Sequence, residues 1–117
     1  MRHRVKSKRV SRNKAHLSSM LRNMATSIVL FEKIRTTKAK ANAVKPIVEK
    51  LIVDSKQLAL PLAMRKLKAY VKDDNAVKKL IEDLAKRYKD RSSGFTRVTP
   101  IGYRPGDAAP MVQIELV

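Results

Sequence analysis

After Gly94 the apolar residues of this 117-residue chain stop recurring at helical spacing and begin to alternate. Ahead of that point Leu17, Met20, Leu21, Met24 and Ile28 mark one helical stripe, and Val77, Leu80, Ile81, Leu84 and Tyr88 mark the clearest of the later ones. Beyond it, Phe95–Ile101 and Met111–Val117 read as two strands joined by a turn containing Gly102, Pro105, Gly106 and Asp107. A chain with both periods, segregated in this way, is restricted to an α+β fold in which helices cover one face of a sheet.

The segments before Gly94 complete the expected order of helix, strand, three helices and two strands. Ser11 or Asn13 supplies an N-cap for a first helix ending near Leu30. Glu32–Thr37 alternates polar and β-branched residues, which favours a short strand, and Thr37 then caps a second helix. That helix carries Ala41, Val44, Ile47, Val48, Leu51 and Ile52, with Pro46 inside the stripe, where a kink is expected. Pro61 opens a third helix with Leu62, Leu67, Tyr70 and Val71 inward and Arg65, Lys66, Lys68 and Lys72 outward; Asp73 or Asp74 opens the fourth. In the last strand Val112, Ile114 and Leu116 face the helices, while Gln113 and Glu115 face solvent. The expected architecture is two layers, helices on a small three-stranded mixed sheet, in a single domain of residues 1–117 whose first 12 residues form an extended basic arm.

Charge is distributed as unevenly as hydropathy. The chain has a formal charge of +17, and its first 31 residues hold eight Lys or Arg and no acid. Arg2, Arg4, Lys6, Lys8, Arg9, Arg12 and Lys14 are therefore uncompensated, in a stretch with no apolar periodicity to fold it. Such density points to a polyanion, because each phosphate neutralised releases condensed counterions. Arg12, Ser19, Arg22, Asn23 and Thr26 extend this surface along the polar face of the first helix, with groups able to reach phosphates and 2′-hydroxyls. An organelle transit peptide shares the composition, but here the apolar stripe runs into the core without a cleavage boundary. The basic faces between residues 56 and 89 alternate with acids and read as solubilising.

Other function classes find little support. There is no cysteine for a disulfide, a thiol nucleophile or a cysteine zinc site. His3 and His16 lie 13 residues apart with no carboxylate near them, a poor start for either a metal site or acid–base catalysis. Neither a cofactor nor a small-molecule substrate is expected. No apolar run approaches the roughly 20 residues of a membrane span, so a soluble protein is expected. Aromatic residues are 4% of the chain, too few for base stacking to be the main mode of binding, and shape and backbone recognition of folded nucleic acid fits better. Composition alone leaves architectural DNA binding open beside RNA.

The string GYRPGDAAPMVQIELV at residues 102–117 narrows the choice. It resembles the terminal signature of the family formed by the seventeenth protein of the bacterial large ribosomal subunit. The resemblance continues through MRHR at 1–4, RNMATS at 22–27, EKIRTTKAKA at 32–41, PIVEKLI at 46–52, RYKDR at 87–91 and GFTR at 94–97. It departs at Leu17–Met20, where many members carry more basic residues, and at Ser55–Pro61.

That resemblance implies a non-catalytic structural protein of the cytoplasmic large subunit. It implies binding to 23S ribosomal RNA near the mouth of the peptide exit tunnel, beside the third, twenty-second and thirty-second large-subunit proteins, without a homo-oligomer. Carried over by position, Arg2, His3, Arg4, Lys8, Arg9, Arg12, Asn13 and His16 match the RNA-contacting arm and first turn, and Arg22 and Asn23 the helix face after it. Arg35, Thr36, Thr37 and Lys38 match the strand-to-helix corner, and Tyr103 and Arg104 match the hairpin, where Gly106 and Asp107 shape the turn. Lys6, Lys14, Lys40 and Arg97 complete the candidate RNA-binding set.

Overall fold

The computed structural model of the protein describes residues 13–117. The expected arm at residues 1–12 lies outside them. Helix α1 (Lys14–Phe31) leads through Glu32 into strand β1 (Lys33–Thr37), helix α2 (Lys38–Gln57) and helix α3 (Leu60–Tyr70). A fourth helical segment opens as α4 (Asp74–Lys79), passes through a π-helical turn (Leu80–Leu84) and closes as α5 (Ala85–Arg87). Strands β2 (Thr96–Tyr103) and β3 (Pro110–Leu116) follow.

Side-chain caps start three of the helical segments, α1, α2 and α4. The side chain of Asn13 accepts the His16 N–H at 2.8 Å, Thr37 accepts that of Lys40 at 3.5 Å, and Asp73 accepts those of Asn75 and Ala76. Each satisfies a backbone donor that has no partner within its helix. Helix α1 ends on Glu32 at φ 65, with its N–H bonded to the Ile28 carbonyl at 2.8 Å. A left-handed residue here is the usual way to stop a helix, though glycine is the usual occupant.

The three strands form a sheet in the order β1-β3-β2, antiparallel throughout and not mixed. β3 lies between the other two and runs opposite to both, so the two strands that share a direction never meet. Val112 and Ile114 on β3 are buried beneath the helices, where they join Ile28 and Val29 of α1, Val44, Val48 and Ile52 of α2, and Leu67, Val77, Leu80 and Leu84 beyond. Tyr88 and Phe95 close this core with ring centroids 5.2 Å apart, and the Tyr88 hydroxyl donates to the Val117 carbonyl at 2.7 Å. The Thr96 hydroxyl donates to Glu49 at 2.9 Å, joining β2 to α2.

Three local expectations change. Leu62 is 49% exposed, and Ala63 with Leu67 makes the inner face of α3, which is turned relative to the stripe read from the sequence. Pro46 lies within α2 but on its exposed side, outside the buried stripe. The fourth helix is interrupted: the Ala85 N–H reaches back to the Leu80 carbonyl, one residue farther than in an α-helix. Leu80, Leu84 and Tyr88 all lie in the core.

Candidate nucleic-acid interface

The basic segment enters the described residues at the start of α1, where Lys14 and His16 are exposed beside the Asn13 cap. Arg2, His3, Arg4, Lys6, Lys8, Arg9 and Arg12 lie outside these residues. Two turns along α1, Arg22 points across to α3. Its guanidinium lies 5.0 Å from the centre of the Tyr70 ring and its Nη1 donates to the Ala69 carbonyl at 3.5 Å. Burial pushes the Tyr70 hydroxyl pKa up, and the Arg22 charge opposes that. Arg22 thus ties two helices together, while Asn23 stays exposed beside it. Arg22, Asn23 and Thr26 share a shallow cleft with Lys72 and Asp73. Lys72 adds an exposed cation to this surface, beyond the solubilising role expected of residues 56–89.

A second surface forms where β1 turns into α2. Strand alternation sends Ile34 toward the core and Lys33 and Arg35 to the open face of the sheet. Lys38 is exposed and Lys40 half-buried in the first turn of α2, and that turn holds no acid. Thr36 and Thr37 are half-buried, and Thr37 is occupied as the cap.

Register carries this charge across the sheet. Lys33 and Arg97 both lie opposite Glu115, and Arg35 and Thr99 both lie opposite Gln113. Arg97 Nε is 3.5 Å from Glu115 Oε1. The open face therefore sets Lys33, Arg35 and Arg97 against a single carboxylate. Charges on an edge strand also deter pairing with another chain, which explains Lys33 or Arg35 singly. That role does not explain the continuation into Lys38 and Lys40. Lys33 was absent from the candidate set, although the alternation around Ile34 already marks it as outward.

The β2–β3 hairpin meets this corner. Tyr103 is 76% exposed, and a cleft beside it is also lined by Lys38, Pro100 and Pro110. Arg104 turns toward its own loop: its Nε and Nη2 donate to Asp107 at 2.9 and 2.5 Å. Asp107 also accepts the Ala109 N–H at 3.2 Å, and these contacts hold its pKa down at about 2. The two charges cancel locally, so Arg104 and Asp107 shape the turn.

The sequence-derived candidates thus separate into an α1 surface, around Asn23, an open sheet face with Arg35 and Arg97, and the neighbouring corner with Lys38, Lys40 and Tyr103. Three acids elsewhere are held by cations: Asp54 by Lys66, and Glu32 and Asp83 by Arg87. Among the described residues no group of His, Cys, Asp or Glu could hold a metal ion. No helix among them is long and apolar enough to cross a membrane.

A basic, acid-poor surface on an α+β domain is the charge pattern of the class of proteins that meet a polyanion. Comparison with known sequences goes further. Residues 20–117 match the sequence profile of the family described as ribosomal protein L17. The chain is 44% identical, over the full length of both, to the large ribosomal subunit protein bL17 of Neorickettsia sennetsu. It is 43% identical to that of Rickettsia typhi, across the whole chain and 85% of the relative, and 44% identical to that of Geobacter sulfurreducens, across the whole chain and 66% of the relative. The chain belongs to the ribosomal protein L17 family. As a member it is a structural constituent of the large ribosomal subunit, part of the cytoplasmic ribonucleoprotein that carries out translation.

Proposed function

We propose that this chain binds 23S ribosomal RNA near the mouth of the peptide exit tunnel and stabilises its folding during assembly of the large subunit. The observation that carries the RNA part of this reading is the uncompensated charge. Eight cations precede the first acid, and Lys33, Arg35, Lys38 and Lys40 continue the run into the sheet face and the neighbouring corner. Residues 1–117 act as one domain in this reading. Its arm, with Arg2, His3, Arg4, Lys6, Lys8, Arg9 and Arg12, lies between RNA helices, and the corner lies on their phosphates. The position near the exit tunnel and the neighbouring third, twenty-second and thirty-second proteins come from family likeness alone. No catalytic role is assigned.

Sedimentation of a lysate through sucrose at high and low magnesium, with the chain followed by mass spectrometry, tests the assembly. Co-migration with the large subunit after the subunits separate is expected, and recovery only in free or DNA-bound fractions would sink the proposal. Filter binding to 23S RNA across salt concentrations tests the footprint. Neutral replacements of Arg2, Arg4, Lys8 and Arg9 should lower the slope of log affinity against log salt by about 0.7 to 0.9 per lost phosphate contact.

A further inference from the structure

β2 does not keep step with β3. Pro100 lies opposite Val112 and Gly102 opposite Met111, so Ile101 is an extra residue between them. Sheet alternation has a period of two, and one inserted residue inverts it. Before the bulge, Val98 and Pro100 lie opposite Ile114 and Val112 on the helix side, while Arg97 and Thr99 lie opposite Glu115 and Gln113 on the open side. Counting onward by twos from Thr99 would put Tyr103 on the open side. Past the bulge it lies opposite Pro110, in step with Val112 and Ile114, and so stands on the helix side.

On that side the sheet runs on past the first turn of α2 and encloses a cleft of about 390 Å³ between Tyr103, Lys38, Pro100, Pro110, Val98 and Val112. Its floor is apolar and its wall is an aromatic ring that the core does not use. Lys38 at its edge has no acid partner among the described residues. Asp107, the acid of the adjoining hairpin, is held by Arg104.

From this arrangement, and resting on the RNA-binding reading above, we infer that the cleft seats one unstacked nucleobase of the RNA, lying on the Tyr103 ring with its phosphate on the Lys38 ammonium. Stacking on an aromatic face next to a cation captures a base with little regard to sequence. The charge of the surroundings selects the occupant: Lys38 and Lys40 lie in the first turn of α2, which holds no acid, and this suits a phosphate-bearing ligand better than a peptide. A single such anchor also agrees with an aromatic content of 4%.

The test uses the full chain, protein-free 23S RNA, filter binding across salt, and reactivity of the RNA toward reagents that modify unpaired bases. Tyr103 is exposed, so its replacement leaves the fold intact. Tyr103→Ala should weaken binding roughly five- to 100-fold at an unchanged salt slope, and should restore reactivity at one unpaired base that the wild-type chain protects. Tyr103→Phe should behave as wild type, and Lys38→Gln should lower the slope by about 0.7 to 0.9. Wild-type affinity and intact protection in Tyr103→Ala would overturn the inference, as would normal RNA binding combined with lost co-sedimentation, which would give the cleft to a protein segment. Failure of the wild-type chain to bind the RNA at all would instead overturn the RNA-binding proposal itself.

Discussion

Glu32, the first acid of the chain, is paired with Arg87, a residue 55 positions later. Its carboxylate also lies 3.7 Å from Lys79 Nζ, which donates to the Leu30 carbonyl at 3.1 Å. Helix α1 has no basic residue in its own last turn. The α4–α5 segment therefore brings the positive charge that the carbonyl end of a helix favours.

Glu32→Gln should destabilise the fold by about 1 kcal/mol or less, because the pair is partly exposed and water screens it. Glutamine is the informative replacement, since glycine would recover backbone freedom at φ 65 and mask the loss. Hydrogen bonding to Arg87 holds the Glu32 pKa below its ordinary 4.5. The pair therefore contributes fully above pH 4.5 and is lost as pH falls through the lowered folded value. Urea unfolding of wild type and Glu32→Gln should converge at acid pH, and a gap that persists there would discount the ion pair.

Pro46→Ala should raise stability by about 1 to 2 kcal/mol. Proline in a helix interior costs roughly 3 kcal/mol against alanine, and the gain is reduced because alanine frees the unfolded chain. Thermal unfolding would show it, and a lower melting temperature would mean that the proline fits its turn without strain.

Leu80→Ala should cost about 2 to 5 kcal/mol, since Leu80 is fully buried where the π-helical turn begins. Leu62→Ala should fall within about 0.5 kcal/mol, because Leu62 faces outward on α3. Equal losses at the two positions would contradict the orientation of α3 described above.

Arg104 and Arg35 should differ in RNA binding. Arg35→Gln should lower the salt slope by about 0.7 to 0.9, whereas Arg104→Gln should leave it nearly unchanged because Asp107 already balances that charge. Asp107 titrates at about 2 instead of 3.8, so its contribution to the turn is present above the higher value and fades as pH falls through the lower. Carboxyl chemical shifts across acid pH would check this, and a midpoint near 3.8 would count against the clasp.

What the sequence disclosed depended on the range of the physics involved. Helix stripes are local, so Ile28, Val48, Ile52 and Leu84 could be placed in the core from spacing alone. Caps are local too, and Thr37 and Asp73 start their helices as expected. Strand direction depends on partners far away in sequence, which is why β3 between β1 and β2 escaped notice and the sheet was expected to be mixed. The π-helical turn was hidden because the same leucines fit an uninterrupted stripe. In the candidate site, family resemblance marked Arg35 and Lys38 at the strand-to-helix corner, and the structure places them, with Lys40, at the β1–α2 junction. The resemblance could not show that Tyr70, 48 positions away, draws Arg22 onto α3, or that Asp107 holds Arg104.

The middle position of β3 also orders events during synthesis. Neither β1 nor β2 has any strand to pair with until residues 110–116 have been made. The helices can meet one another first, but their sheet-facing apolar surface must wait uncovered for the strand that is translated after both of its neighbours. Closure of the second layer is therefore a single late event.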